Sequence, residues 1–218
     1  MKTNKELGER VREYLIEKGV ETPIVDYAEN TEKRMIIVEE NFTRIMLALG
    51  LDLKDDSLKD TPKRVAKMYL NVIFYGLNYE NFPNCSKFEN KMHYDEMVIE
   101  RGISVNSFCE HHFVNIDGSA IIAYIPKTKV IGLSKLNRIV KFFSKRPQVQ
   151  ERLTEQIYHA LSYILETEDI AVIIEATHHC VKSRGVEDQN CDTMTSKLGG
   201  LFREQGVRME FFTLIKRT

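Results

Sequence analysis

Leu7, Val11 and Leu15 fall four apart in an otherwise charged segment that stops at Gly19, a spacing that predicts a first helix with one buried stripe. A second apolar pattern runs from about Met35 to Leu49 and ends at Gly50. A third helix is predicted from "DTPKRVAKMYL", with Thr61 as N-cap, Pro62 at the first helical position and Gly76 as the stop. From about residue 95 the period changes from helical to alternating. "EMVIE", "ISVNSF" and "HFVNIDGSAIIAYI" read as strands, and Asp117-Gly118 carries the signal of a hairpin turn.

Two further helices follow, Ser134 to about Lys145 and Pro147 to about Leu165. The second has Val149, Leu153, Ile157, Ala160, Leu161 and Ile164 along one face. In "DIAVIIEATHHC" the two-residue period of a strand puts Val172, Ile174, Ala176, His178 and Cys180 on one face and His179 on the other. A final strand is expected in "VRMEFFTLIKR". The pattern predicts an α+β fold: a helical region over 1–94, then a region over 95–218 with antiparallel strands and helices covering one face.

Composition narrows the class without naming it. At 218 residues, 43% hydrophobic and 29% charged, the chain has the make-up of one substantial globular unit. A net charge of −1 supplies no global field for nucleic acid or an acidic membrane, so neither is expected as the main partner. No apolar run approaches the ~18 residues needed to span a bilayer, and the charged N-terminus has no leader-like apolar stretch, which places the expected site of action in the cytoplasm. In a reducing compartment, four irregularly spaced cysteines favour metal binding or reactive thiols over a disulfide framework.

Four of the six histidines sit in two adjacent pairs, each close to a cysteine: "SFCEHHFVNIDG" and "EATHHC". Cys109 and His112 suit two metal ligands converging from a bend, and Cys180 completes a Cys2His set if its strand joins the same sheet. Zinc favours these donors, and three protein ligands leave a fourth tetrahedral position for water. A lone C-x-x-H is a weak signal, and a buried cysteine is usually a small hydrophobe. A purely structural zinc site would close with a fourth ligand and have no use for His111 and His178, whereas a hydrolase needs such proton carriers. Cys85 and Cys191 read as free thiols in loops, and His93 and His159 as structural or solvent-facing.

An anionic group would have to be held locally. Lys63, Arg64 and Lys67 cluster on the third helix, Lys135 and Arg138 near the start of the fourth, and Lys182 and Arg184 just after Cys180. A charged helix face is most often simply solvated. Ser134 and Lys135, however, occupy a helix N-terminus, where free N–H groups favour phosphate. Glu151, off its helix's apolar stripe, is either a first-turn acid complementing the dipole or a carboxylate able to accept two N–H groups of a base edge.

Taken together, "CEHHFVNIDGSAIIAYIPKTKVIGLSKLNRIVKFFSKRPQVQERLTEQI", "HHCVKSRG", "LGGLF" and "DLKDDSLKDTPKRVAKMY" closely resemble the GTP cyclohydrolase I family, over nearly the whole chain. The resemblance implies a tunnelling fold, in which antiparallel sheets from several subunits form a barrel with helices outside, and a toroidal homodecamer of two pentamers with active sites at subunit interfaces. It implies zinc held by Cys109, His112 and Cys180, with His111 and His178 transferring protons. It further implies Gln150 and Glu151 at guanine, Ser134 and Lys135 at ribose and phosphate, and Arg64, Lys67, Arg138 and Arg184 at the triphosphate, some from a neighbouring subunit. The implied reaction converts GTP to formate and 7,8-dihydroneopterin triphosphate, the opening step of tetrahydrofolate synthesis, with acid and base work from histidine and Ser134. One departure is His179, where relatives often carry tyrosine.

Overall fold

Asn4 accepts a hydrogen bond from the Leu7 backbone N–H and starts helix α1, Lys5–Glu17, whose Val11 and Leu15 are fully buried in this computed structural model. The structure describes residues 2–25, 27 and 29–216. Helix α2, Thr31–Ala48, is capped by Asn30, but Ile36, Ile37, Ile45 and Leu47 on it stay exposed. Helix α3, Thr61–Met68, begins at Thr61, so Asp60 takes the cap position and Pro62 the second place in the helix. A π turn, Tyr69–Ile73, extends it. Gly76 is needed for close packing, because a Cβ there would fall on the Phe142 carbonyl oxygen.

Strand β1, Lys87–Glu89, pairs with β4, Lys129–Ile131, in a small two-stranded sheet. The main sheet begins with β2, Val98–Cys109, one long strand where two short ones were expected. Its register shifts between Glu100 and Ile103, at Gly102 with φ +72°. Strand β3, Asn115–Tyr124, runs back beside it, with Asn106 opposite Asp117 and Val105 opposite Gly118. The hairpin therefore turns at 110–114, and Asp117-Gly118 lies inside the strand. Glycine stands there for a different reason: a Cβ at Gly118 would strike the Glu175 carbonyl oxygen and Ala176 on the next strand.

Helix α4, Leu133–Ser144, leads to Pro147–Gln148, a two-residue strand β5 that pairs in parallel with Phe108–Cys109. That pairing delays helix α5 to Gln150–Leu165, three residues later than expected. Strand β6, Ile170–His178, pairs with β3, and the chain then coils into a helical turn α6, His179–Lys182. Cys180 is thus carried by α6 and not by the strand face. Strand β7, Thr193–Leu198, adds to β6; its short, polar "TMTSKL" gave no apolar alternation to read. The sheet order is β5-β2-β3-β6-β7.

The expected last strand is instead helix α7, Gln205–Ile215, with Arg217 outside the described residues. "VRMEFFTLI" fits either period on paper. Burial decides it: Val207, Phe211 and Ile215 recur four apart against the sheet, while Met209 and Leu214 are exposed. Helices α4 and α5 cover one face of the sheet, and α7 with Phe202 covers the other through Ala123, Ala171 and Ile173. Strand β6 is consequently buried on both sides. Among the described residues no helix is long and apolar enough to cross a membrane.

One polar node lies inside this apolar packing. The Arg146 guanidinium, fully buried, donates to Glu21 Oε1 at 2.9 Å and to the Gly76 carbonyl, with aromatic rings of Tyr79, Phe142 and Phe143 around it. Tyr79 donates its hydroxyl proton to the other Glu21 oxygen. Gln156 reaches Val20 and Thr22 from α5. The link after α1 is thereby stitched to the segment that leads into β5.

Gly118→Ala should cost about 2 kcal/mol or more, because backbone on the neighbouring strand cannot yield to the added methyl. For a chain of this size that is a fall of roughly 4–8 °C in the unfolding midpoint, read by calorimetry. A midpoint unchanged within about a degree would show that β3 and β6 separate at no cost.

Candidate active site

The Ile116↔His178 pairing of β3 with β6 brings the two histidine clusters to the same end of the sheet. At that end the hairpin closes tightly: the Cys109 N–H donates to the Val114 carbonyl and the Phe113 N–H to the Cys109 carbonyl, both at 2.8 Å. Phe113 takes a left-handed conformation, φ +54°, and packs edge to face on Phe74 and Tyr69. The bend turns Cys109 and His112 to one side. Helix α6 brings in Cys180, and one ligand atom from each of Cys109, His112 and Cys180 lies within 4.8 Å of the others. Among the described residues this is the one such group of potential metal-binding side chains.

The donor set fits zinc. Cys109 is buried, Cys180 half-buried and His112 exposed, so the set is open on one side. Burial, and then the adjacent Cys109 sulfur, push the Cys180 thiol up. Two thiols this close cannot both ionise cheaply unless a cation compensates them, and a dication would do so. Arg184 also reaches the cluster, donating to His112 Nε2.

His178 lies at the base of the site. Its Nε2 is 2.8 Å from Gln150 Oε1, and the Gln150 amide donates to Ile174 O, Thr193 O and Thr195 Oγ1, which fixes the amide's orientation. An oxygen acceptor at that place makes Nε2 the protonated nitrogen. Burial holds His178 below the usual imidazole range, with the Glu151 carboxylate pulling the other way. Glu151 is exposed, in the first turn of α5. His111 is exposed, with Nδ1 3.7 Å from the Cys109 sulfur. His179 turns away and meets Asp117 at 2.6 Å.

The basic residues are divided. Arg64 and Lys67 are exposed on α3, whose C-terminal extension reaches the hairpin turn through Tyr69 and Phe113. Ser134, Lys135 and Arg138 lie elsewhere. They begin α4 just after β4, beside Tyr124 at the end of β3 opposite to Ile116, the strand partner of His178. Lys135 and Arg138 sit near the Cys85 thiol, whose burial pushes it up to about 12. Within one chain these three residues do not meet the cluster.

Two residues at the site have no role in the sequence reading. Glu110, inside "CEHH", receives both N–H arms of Arg152. No spacing rule links positions 42 apart, so only folding reveals the pair.

An antiparallel sheet with two long helices on one face, open at its edges and carrying a cysteine and histidine cluster at one end, is an α+β tunnelling fold with a candidate metal centre. The comparisons with known proteins carry the assignment further. The sequence model of the GTP cyclohydrolase I family matches residues 38–216, and the chain belongs to that family of enzymes. Relatives include proteins named GTP cyclohydrolase 1 from Yersinia enterocolitica, 54% identical over 210 residues with 96% of each chain covered, and from Mannheimia succiniciproducens, 53% identical over 211 residues, covering 96% of this chain and 97% of the relative. One from Pasteurella multocida is 51% identical over 211 residues.

If the cluster takes up zinc, Cys109→Ser and Cys180→Ser should each bind none, since a hard hydroxyl replaces a soft sulfur donor in a set of three. His111→Ser should retain it. Elemental analysis after dialysis checks this: zinc kept by Cys180→Ser but lost by His111→Ser would overturn the ligand assignment.

Proposed function

We propose that the protein hydrolyses GTP at C8 of the purine in a zinc-dependent reaction, giving formate and 7,8-dihydroneopterin triphosphate, the first step of tetrahydrofolate synthesis. The observation that carries the reading is the meeting of Cys109, His112 and Cys180 with an oriented His178 and the nearby Glu151 at one sheet end. Those three ligands would hold the zinc, which when bound supplies Lewis acidity and an activated water for attack on C8.

The chain's own residues do the rest. His178 Nε2 is committed to Gln150, leaving Nδ1 to exchange a proton with the imidazole ring of the base. His111, exposed beside Cys109, exchanges protons with solvent during ring opening and release of formate. Glu151 accepts N1–H and N2–H from guanine. Gln150, with its side chain already engaged, serves the base through the free N–H groups of the first turn of α5, which suit the O6 acceptor. Ser134 assists the later rearrangement of the ribose, and Lys135, Arg138, Arg184, Arg64 and Lys67 hold ribose and triphosphate.

This division of labour needs more than one subunit, since Ser134, Lys135 and Arg138 lie far from the cluster in their own chain. The open edges support assembly: among the described residues, β7 and positions 98–107 of β2 have no strand on their outer side. A homodecamer of two pentamers would pair these edges and cover the exposed apolar side chains of α2. We place the reaction in the cytoplasm, and divide the chain into an N-terminal helical region over 1–94, which contributes Arg64 and Lys67, and a catalytic tunnelling-fold domain over 95–218.

Glu151→Gln replaces one acceptor oxygen with a donor that would face a donor on guanine. Turnover of GTP should fall by about a hundredfold or more, equivalent to about 2.7 kcal/mol, with zinc content and assembly unchanged. Steady-state kcat/KM, following formate and the fluorescent oxidised neopterin, decides it. Activity within about threefold of wild type would reduce Glu151 to a helix-terminal acid.

A further inference from the structure

Glu110 stands between Cys109 and His111, yet its carboxylate turns toward α5. Arg152 Nη1 donates to Glu110 Oε2 at 2.5 Å and Nη2 to Oε1 at 3.3 Å, a two-armed contact between half-buried side chains. The Glu110 backbone N–H also donates to the Gln148 carbonyl at 3.0 Å. The metal-binding turn is therefore tied twice to the segment that opens α5, once through the backbone and once through the fork. Arg152 directly follows Glu151. His111, His112 and Phe113, by contrast, are exposed, and the tip of the turn is otherwise held by its own backbone bonds, the edge contacts of Phe113 with Phe74 and Tyr69 and the Arg184 contact with His112, none of which reaches α5.

We propose that the Glu110–Arg152 pair is a positioning clamp that sets the separation between the Cys109–His112 turn and the Glu151 carboxylate. The inference rests on Glu151 binding guanine. C8 and the N1–N2 edge lie at opposite ends of a rigid bicycle, so the ligand cannot flex to absorb an error in that spacing. The two recognising elements are 42 residues apart, and the planar fork of arginine is the rigid side-chain link between them. A misplacement of ~1 Å at a reacting centre can cost on the order of 10²-fold in rate. The same carboxylate lies 3.9 Å from His111 Nε2, so changing Glu110 would disturb a proton carrier as well as the clamp. Arg152 is accordingly the residue to replace.

The experiment compares full-length wild type, Arg152→Lys and Arg152→Met. Arg152→Lys keeps the charge and loses the fork, and it serves alone if the methionine variant does not fold. Zinc-loaded enzyme should lose about 10- to 100-fold in kcat for GTP with KM changed less than about threefold, at unchanged zinc content and gel-filtration volume. In metal-free protein, exchange of the Cys109, Glu110 and Phe113 amides should quicken about tenfold in both variants, a change in opening equilibrium that needs no substrate. Unchanged exchange or unchanged kcat overturns the clamp. A loss confined to KM with unchanged exchange would make Arg152 a direct substrate contact, and loss of zinc would make the pair a support for the metal ligands; either also overturns it. Glu151→Gln in the same series separates the two readings: full activity there removes the guanine assignment, whereas its loss beside a fully active Arg152→Lys removes only the clamp.

Discussion

The register of β3 against β6 is the constraint on which the rest of this molecule depends. With Ile116 opposite His178, the hairpin bearing Cys109 and His112 and the turn bearing Cys180 emerge at one end of the sheet. A slip of one residue would send every side chain of a strand to the opposite face. Here both faces of β6 are buried, one under α4 and α5 and the other under α7, so such a slip would be opposed by the core on two sides. The candidate metal centre is thus held by the hydrophobic packing of the sheet, to whose core Cys109 belongs and against which Cys180 packs.

The same register explains the placement of Gly118, while Arg146 organises a separate part of the core. Gly118 lets β3 and β6 approach where any side chain would collide with backbone. Arg146 immediately precedes β5, and its ion pair with Glu21 ties the link after α1 to that segment. A buried ion pair is weak support for stability in itself, since desolvation offsets much of its attraction. Its physical contribution here is directional, because the guanidinium satisfies a glutamate, a backbone carbonyl and aromatic faces in one arrangement.

A sheet organised in this way leaves open edges among the described residues and, on the proposed function, a site divided between its two ends. Both follow from the topology: a helix that returns across the sheet must begin at the end opposite to the one where it finishes. Helix α4 begins with Ser134 and Lys135 far from the cluster and ends near β5, beside it. Separating phosphate-binding groups from the metal ligands within one chain makes assembly a requirement of the proposed chemistry.

Much of this was legible in the sequence, because it rests on local pattern. The stripe of α1, the apolar face of α5, the alternation of β3 and the apolar run of β6 are patterns of single segments, and the donor types in "CEHH" and "HHC" identify a candidate metal set without any fold. The sequence misleads where local signals tie or lend themselves to two causes. Asp117-Gly118 has the form of a turn but answers to a neighbouring strand; "VRMEFFTLI" suits both periods until the sheet buries one side of a helix; polar "TMTSKL" becomes a strand because β6 offers it an edge. Tertiary structure alone decided that Cys180 sits on a helical turn, that Gln150 orients His178, and that Glu110 meets Arg152. The last two contacts join residues 28 and 42 positions apart, and only the closing of the sheet brings them within the few ångströms over which hydrogen bonds act.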